Sequence, residues 1–292
     1  MPDLKVPADV YLASAARAFS QATSTESAEH IKPLHRYLAV RFVIEGGFHP
    51  ADIMPRPPLG ADLREGSWHL SFDVGSEKDK EQVVLGALKS KKIDLVVSKE
   101  GIGPVMAVSV KGTSKAFRNL VNRTEEAIGD CANIHLMYPG LVYGFVHFLK
   151  ATVPGDRTLR PNDISLDANG DVSPAIKAYA RIFEGLTGRR LVRDDYARYE
   201  AVGLALVNPK TGKRENPLMS AFPSPESQLN LNAFFATIYA TYDLRFPYTY
   251  TDPNLRHLTR IEWHPNSPAV LSVRKTEASG DELCYSVRTA AT

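Results

Sequence analysis

Ile93-Asp94-Leu95-Val96-Val97, followed by Val105-Met106-Ala107-Val108-Ser109-Val110-Lys111, decides how this chain folds. Both runs are rich in β-branched residues. Glu100-Gly101-Ile102-Gly103-Pro104 between them is turn chemistry, so the pair predicts a hairpin. The segment 116–137 then predicts a long helix, and 141–149, rich in Val, Phe and Tyr, predicts a third strand. In a strand–turn–strand–helix–strand order, a crossover helix can return the last strand parallel to its predecessor. The expected fold class is α/β, a mixed central sheet flanked by helices, with additional helices and strands around that core.

Outward from this stretch the signals are plainer. Residues 7–22 are Ala-rich and predict a helix. Residues 28–45 predict another, with Ile31, Leu34, Leu38 and Phe42 on one face and Gly46-Gly47 as its stop. Four prolines make 48–62 irregular, 68–74 alternates like a strand, and 78–89 predicts a helix with Val83, Val84 and Leu88 inward. Later come helices over 174–185 and 228–242 and a strand over 201–207. Alternation in 270–273 and 283–287 predicts a late hairpin. With no repeat or linker in view, 1–292 reads as a single elaborated domain whose core spans about 76–150.

A chain of 292 residues with 43% hydrophobic and 23% charged residues lies outside the disordered class and is long enough to bury a core without a disulfide or metal staple. The 35 basic and 33 acidic residues leave a net charge of +2, which excludes a uniformly basic nucleic-acid-coating protein but not a local phosphate-binding patch. Cys131 and Cys284 lie far apart and predict two buried thiols in a reducing compartment. Met1-Pro2-Asp3-Leu4-Lys5 does not begin a basic-then-apolar leader, and runs such as 141–149 are too short to span a bilayer. The expectation is a cytoplasmic protein with no membrane partner.

Side chains alternate along a strand, so Met106, Val108 and Val110 share one face and Ala107, Ser109 and Lys111 the other. A hairpin brings Asp94, at the mouth of the first run, towards Lys111. Such a pair makes a surface salt bridge as readily as a site. Fourteen residues after Lys111 comes Glu125. It borders the helix face of Phe117, Leu120, Val121, Thr124, Ile128, Cys131 and His135, whereas Glu126 aligns with Asn122 and Asp130 on the side read as solvent. Asp94 and Glu125 offer the oxygen ligands that magnesium prefers, and Lys111 a cation to orient water or stabilise a phosphorane-like transition state. The eight histidines show no zinc spacing; His30 and His35, five apart, fall off one helical face. The chain has no Gly-x4-Gly-Lys-Ser/Thr loop and no Gly-x-Ser-x-Gly elbow.

A strand-borne Asp94, a hairpin, a strand ending Val108-Ser109-Val110-Lys111, then a long helix and another strand resemble the core of the PD-(D/E)XK nuclease superfamily, best known from type II restriction endonucleases. The resemblance covers about residues 76–150. It implies a restriction-endonuclease-like core and magnesium-dependent hydrolysis of DNA. Asp94, Lys111, Glu125 and Ser109 would form the catalytic group, acting on double-stranded DNA as a homodimer. The family usually carries an acid two residues before the lysine, where this chain has Ser109. The resemblance then implies that the following helix supplies the second carboxylate, from Glu125 or Glu126. An acid from an earlier helix, Glu45 or more weakly Glu81, would join Asp94 and Glu125 at the metal. Lys115, Arg118, Asn119 and Arg123, at the start of the long helix, are the expected DNA contacts. Two other readings stand beside this one: a non-catalytic nucleic-acid-binding protein on the same core, and a nuclease for RNA or structured DNA.

Overall fold

A computed structural model describes residues 6–21, 30–115, 117–155, 158–193, 195–208, 217–246, 258–278 and 283–290. Its centre is a mixed sheet of five strands, β1 (Ile53–Met54), β6 (Leu95–Lys99), β7 (Gly103–Thr113), β8 (Val142–Lys150) and β9 (Ala201–Val207), in that spatial order. The pairs β1–β6 and β6–β7 are antiparallel, and the pairs β7–β8 and β8–β9 are parallel. The crossover from β7 to β8 is helix α3 (Leu120–Met137), preceded by a 3-10 turn at Phe117–Asn119. Residue 116, the first of the predicted helix, lies outside the described residues. The α/β class and the mixed sheet expected from 93–149 are both present.

Period-two alternation divides the core between the two faces of the sheet. Met106, Val108 and Val110 of β7 and Val142, Val146 and Phe148 of β8 face α1 (Leu12–Gln21), α2 (Lys32–Ile44), α5 (Leu231–Arg245) and α6 (Pro268–Ala278). Ala107, Tyr143, Phe145 and Leu149 face α3 and α4 (Pro174–Leu186). Strands buried on both sides read as nearly continuous apolar runs, as the outer strand 201–207 does. Helix α5 lies close on the sheet because β8 has a glycine below it: a Cβ at Gly144 would stand 2.7 Å from the Phe234 ring.

Three expected elements are different. Residues 78–89 form no helix; 82–85 make β4 (Gln82–Leu85), paired antiparallel with β5 (Ser90–Ile93). Of Val83, Val84 and Leu88 only Val84 is buried, because a strand turns successive side chains to opposite faces. Within 48–62 the irregular part is short, since β2 (Leu59–Arg64) pairs with β3 (Ser67–Phe72) as soon as the prolines end. The late hairpin is replaced by α6, which starts with Pro268 and buries Ala269, Val270 and Val273 at helical spacing while Leu271 stays exposed. Among the described residues no helix is long and apolar enough to cross a membrane. Cys131 is buried as expected, but Cys284 is exposed, with its sulfur 3.2 Å from the Tyr37 hydroxyl.

Candidate functional site

Asp94 occupies the bend between β5 and β6, where the chain leaves one small sheet and enters the central one. Its Oδ2 accepts a hydrogen bond from the Val110 backbone N–H at 2.7 Å, which fixes the carboxylate against β7. Its Oδ1 lies 3.7 Å from Nε2 of His35, a buried residue near the start of α2. His35 Nδ1 lies 3.6 Å from Oε1 of Glu81, on the segment leading into β4. The other Glu81 oxygen lies 2.7 Å from Lys92 Nζ. One ligand atom from each of His35, Glu81 and Asp94 falls within 4.8 Å of the other two. Burial raises the Asp94 carboxyl above its ordinary pKa, against the opposing pull of His35, the Val110 N–H and Lys111. Burial likewise lowers the His35 imidazole, opposed by the charges of Asp94 and Glu81. Three elements distant in sequence thus converge on a partly desolvated group of two carboxylates and an imidazole.

Beside it, on the α3 side of β7, Ser109 and Lys111 share a face as alternation requires. The Ser109 hydroxyl is buried and hydrogen-bonded to the Tyr143 hydroxyl at 2.8 Å. Lys111 Nζ is partly exposed and lies 3.4 Å from Glu126 Oε1. The two residues line a narrow cleft with Arg123, Glu126, Asp130 and His147. His147, the parallel neighbour of Lys111 on β8, pairs through Nε2 with Thr113 Oγ1 at 2.8 Å. Burial, reinforced by the positive charges of Arg123 and Lys111, pushes its pKa down to about 3.

The carboxylates from the helix and from the earlier segment fall in other places than expected. Glu125 is exposed on the outer side of α3 with Val121, Asn122 and Gly129, and it is Glu126 that meets Lys111. Of the side read as solvent, Asn122 and Glu126 are exposed but Asp130 is buried and bonded to Lys91. The apolar pattern misled because Val121 points outward while paired polar groups take inward positions. Glu45 stands ten residues beyond His35 along α2, about 15 Å at the helical rise, and is not part of the cluster. Its carboxylate is held by Arg41 at 2.7 Å and by the Tyr239 hydroxyl at 3.1 Å, a brace between α2 and α5.

Of the expected DNA contacts, Lys115 and Asn119 are exposed and Arg123 is partly buried at the cleft; the Arg118 side chain lies outside the described residues. Two cations near the site are engaged, Lys91 with Asp130 and Lys92 with Glu81, and Lys99, at the far end of β6, pairs with Asp52. The sequence gives His35 no zinc spacing, because His30, five residues away, falls off its helical face. The available signal was its place beside Leu34, inside an otherwise apolar helix face. Comparisons of the chain with protein-family models, with curated proteins and with solved structures find no match.

Proposed function

We propose that this protein is a divalent-metal-dependent nuclease that hydrolyses DNA phosphodiester bonds at the Asp94 site, as a two-fold dimer where both strands are cut. The observation that carries the reading is the meeting of Asp94, His35 and Glu81 beside the strand that bears Lys111. Asp94 and Glu81 provide the hard oxygen donors magnesium takes, so the residues fit a divalent ion, with His35 adding a nitrogen donor. When bound, such an ion lowers the pKa of a coordinated water and neutralises charge on the scissile phosphate. The protein's own groups supply the rest. Asp94, fixed by the Val110 N–H, sets the position of the centre on the sheet. Lys111, steered by Glu126, offers a cation to the developing phosphorane charge or to the attacking water. Ser109 acts indirectly, since its hydroxyl is bonded to Tyr143 and buried.

That last observation also favours a second reading. The motif position that usually provides an acid gives no ligand here, as in a non-catalytic nucleic-acid-binding protein on the same core. Plasmid DNA incubated with the protein, in divalent metal and in chelator, separates the two. Metal-dependent cleavage lost in Asp94→Asn supports the nuclease. Binding that weakens with salt, without any cleavage, supports the binding module.

A further inference from the structure

The side chains around Asp94 also bear on which ion the site would take. His35 is buried, and its Nε2 has no hydrogen-bond partner among the described residues, although it points at Asp94 Oδ1 across 3.7 Å. A buried imidazole nitrogen left unbonded costs free energy unless something completes it. A proton between the two atoms does so poorly at that separation, which is too long for a hydrogen bond. An ion does so well: ligand atoms each about 2.1 Å from one centre lie about 3.0–3.5 Å apart, so a small closure brings Nε2 and Oδ1 into one coordination sphere. Glu81 completes a third side from a different segment, with its second oxygen on Lys92.

Donor chemistry then selects the ion. Magnesium takes oxygen ligands and keeps several waters, whereas imidazole suits the borderline first-row transition metals. We propose that His35, Glu81 and Asp94 form a one-nitrogen, two-carboxylate site for a transition-metal dication of the manganese class, which binds there in preference to magnesium. This deepens the nuclease reading of the same site and rests on it for the ion's use, but not for its binding. His35 sits in the first turn of α2, and α2 packs against the sheet face opposite α3. The ion would therefore tie the helix, the β4 approach and the β5–β6 bend together on the strand that carries Lys111.

The test is a titration of the metal-stripped full-length protein with Mn2+, followed by the loss of the free-ion electron paramagnetic resonance signal. The wild type should take up one Mn2+ per chain, and excess Mg2+ should displace it only weakly. His35→Gln and Glu81→Gln should each weaken binding by at least about tenfold. Thermal melts check that the variants fold; if His35→Gln does not, Glu81→Gln at the more exposed ligand decides. Absence of Mn2+ uptake by the wild type, wild-type uptake by both folded variants, or displacement by equimolar Mg2+ would overturn the proposal. Metal-dependent cleavage that His35→Gln leaves intact removes this inference and keeps the nuclease. Mn2+ uptake through His35 without cleavage keeps this inference and removes the nuclease.

Discussion

Lys111 lies near the end of β7 on the α3 side of the sheet, and its ion-pair partner among the described residues is the exposed carboxylate of Glu126. Such a pair is worth about 0–1 kcal/mol to stability, so the side chain is expendable for folding. Lys111→Met should therefore melt within about 0.5 kcal/mol of the wild type. Its DNA cleavage should be slower by at least about a hundredfold. Single-turnover assays beside a melt would show both, and an active, folded variant would remove Lys111 from the mechanism. His147, buried beside the positive charges of Arg123 and Lys111, gives a pH prediction. Its pKa is pushed from about 6.5 in the unfolded chain to about 3 in the fold. Between those values the unfolded chain binds a proton that the native protein refuses, so stability falls as pH drops below about 6.5. The loss between pH 7 and 5 should be about 2 kcal/mol in urea denaturation, and His147→Gln should lack that component. Equal losses in both proteins would contradict the assignment. At this scale Asp94, Ser109 and Lys111 were legible because period-two alternation on a strand is a local rule. His35 was not, because its partners come from segments 46 and 59 residues away.

Element by element, the hairpin of β4 and β5 matters most, since β5 runs straight into Asp94. Asn133 of α3 clamps its tip: Oδ1 accepts from the Leu88 N–H at 2.8 Å and the Lys89 N–H at 3.2 Å, and Nδ2 donates to the Lys89 carbonyl at 2.9 Å. Asn133→Ala removes all three bonds and should cost about 1–3 kcal/mol. Amide exchange at Leu88 and Lys89 should accelerate ahead of the central strands, and unchanged protection there would show the clamp to be idle. This element was misread as a helix for a physical reason. Val83, Val84 and Leu88 sit at helical spacing, and nothing local reveals that Asn133, 45 residues beyond Leu88, will hold the chain as a hairpin. The strands at 93–97, 105–110, 141–149 and 201–207 were legible because burial on one or both faces writes itself into composition. The 268–278 helix was not, because two short valine alternations fit either period.

The whole molecule is knit at the far end of the sheet by Glu200, which is wholly buried. Its Oε1 lies 2.6 Å from both Arg189 and Arg245, and its Oε2 accepts from the Tyr143 N–H at 2.6 Å, with His135 Nε2 at 3.3 Å. Burial opposes the charge on Glu200, but His135, Arg245 and the Tyr143 N–H outweigh it and hold the carboxyl below its ordinary pKa. This network joins α3, β8, β9, α5 and the 189–200 segment. Glu200→Gln leaves two arginines buried without their counter-charge and should cost about 3–5 kcal/mol. That is a fall in Tm on the order of 10 °C, and an unchanged melt would show that the arginines find other partners. Arg189 stands beside Arg190 in the sequence, but its carboxylate partner, eleven residues on, turns it inward. The central claim concerns the Asp94 site, and its most direct measurement is the cleavage of mixed-sequence plasmid and phage DNA by wild type and Asp94→Asn, with divalent metal and with chelator. The account predicts fragments that need both the metal and Asp94; intact DNA with the metal present, or cleavage that survives Asp94→Asn, would contradict it.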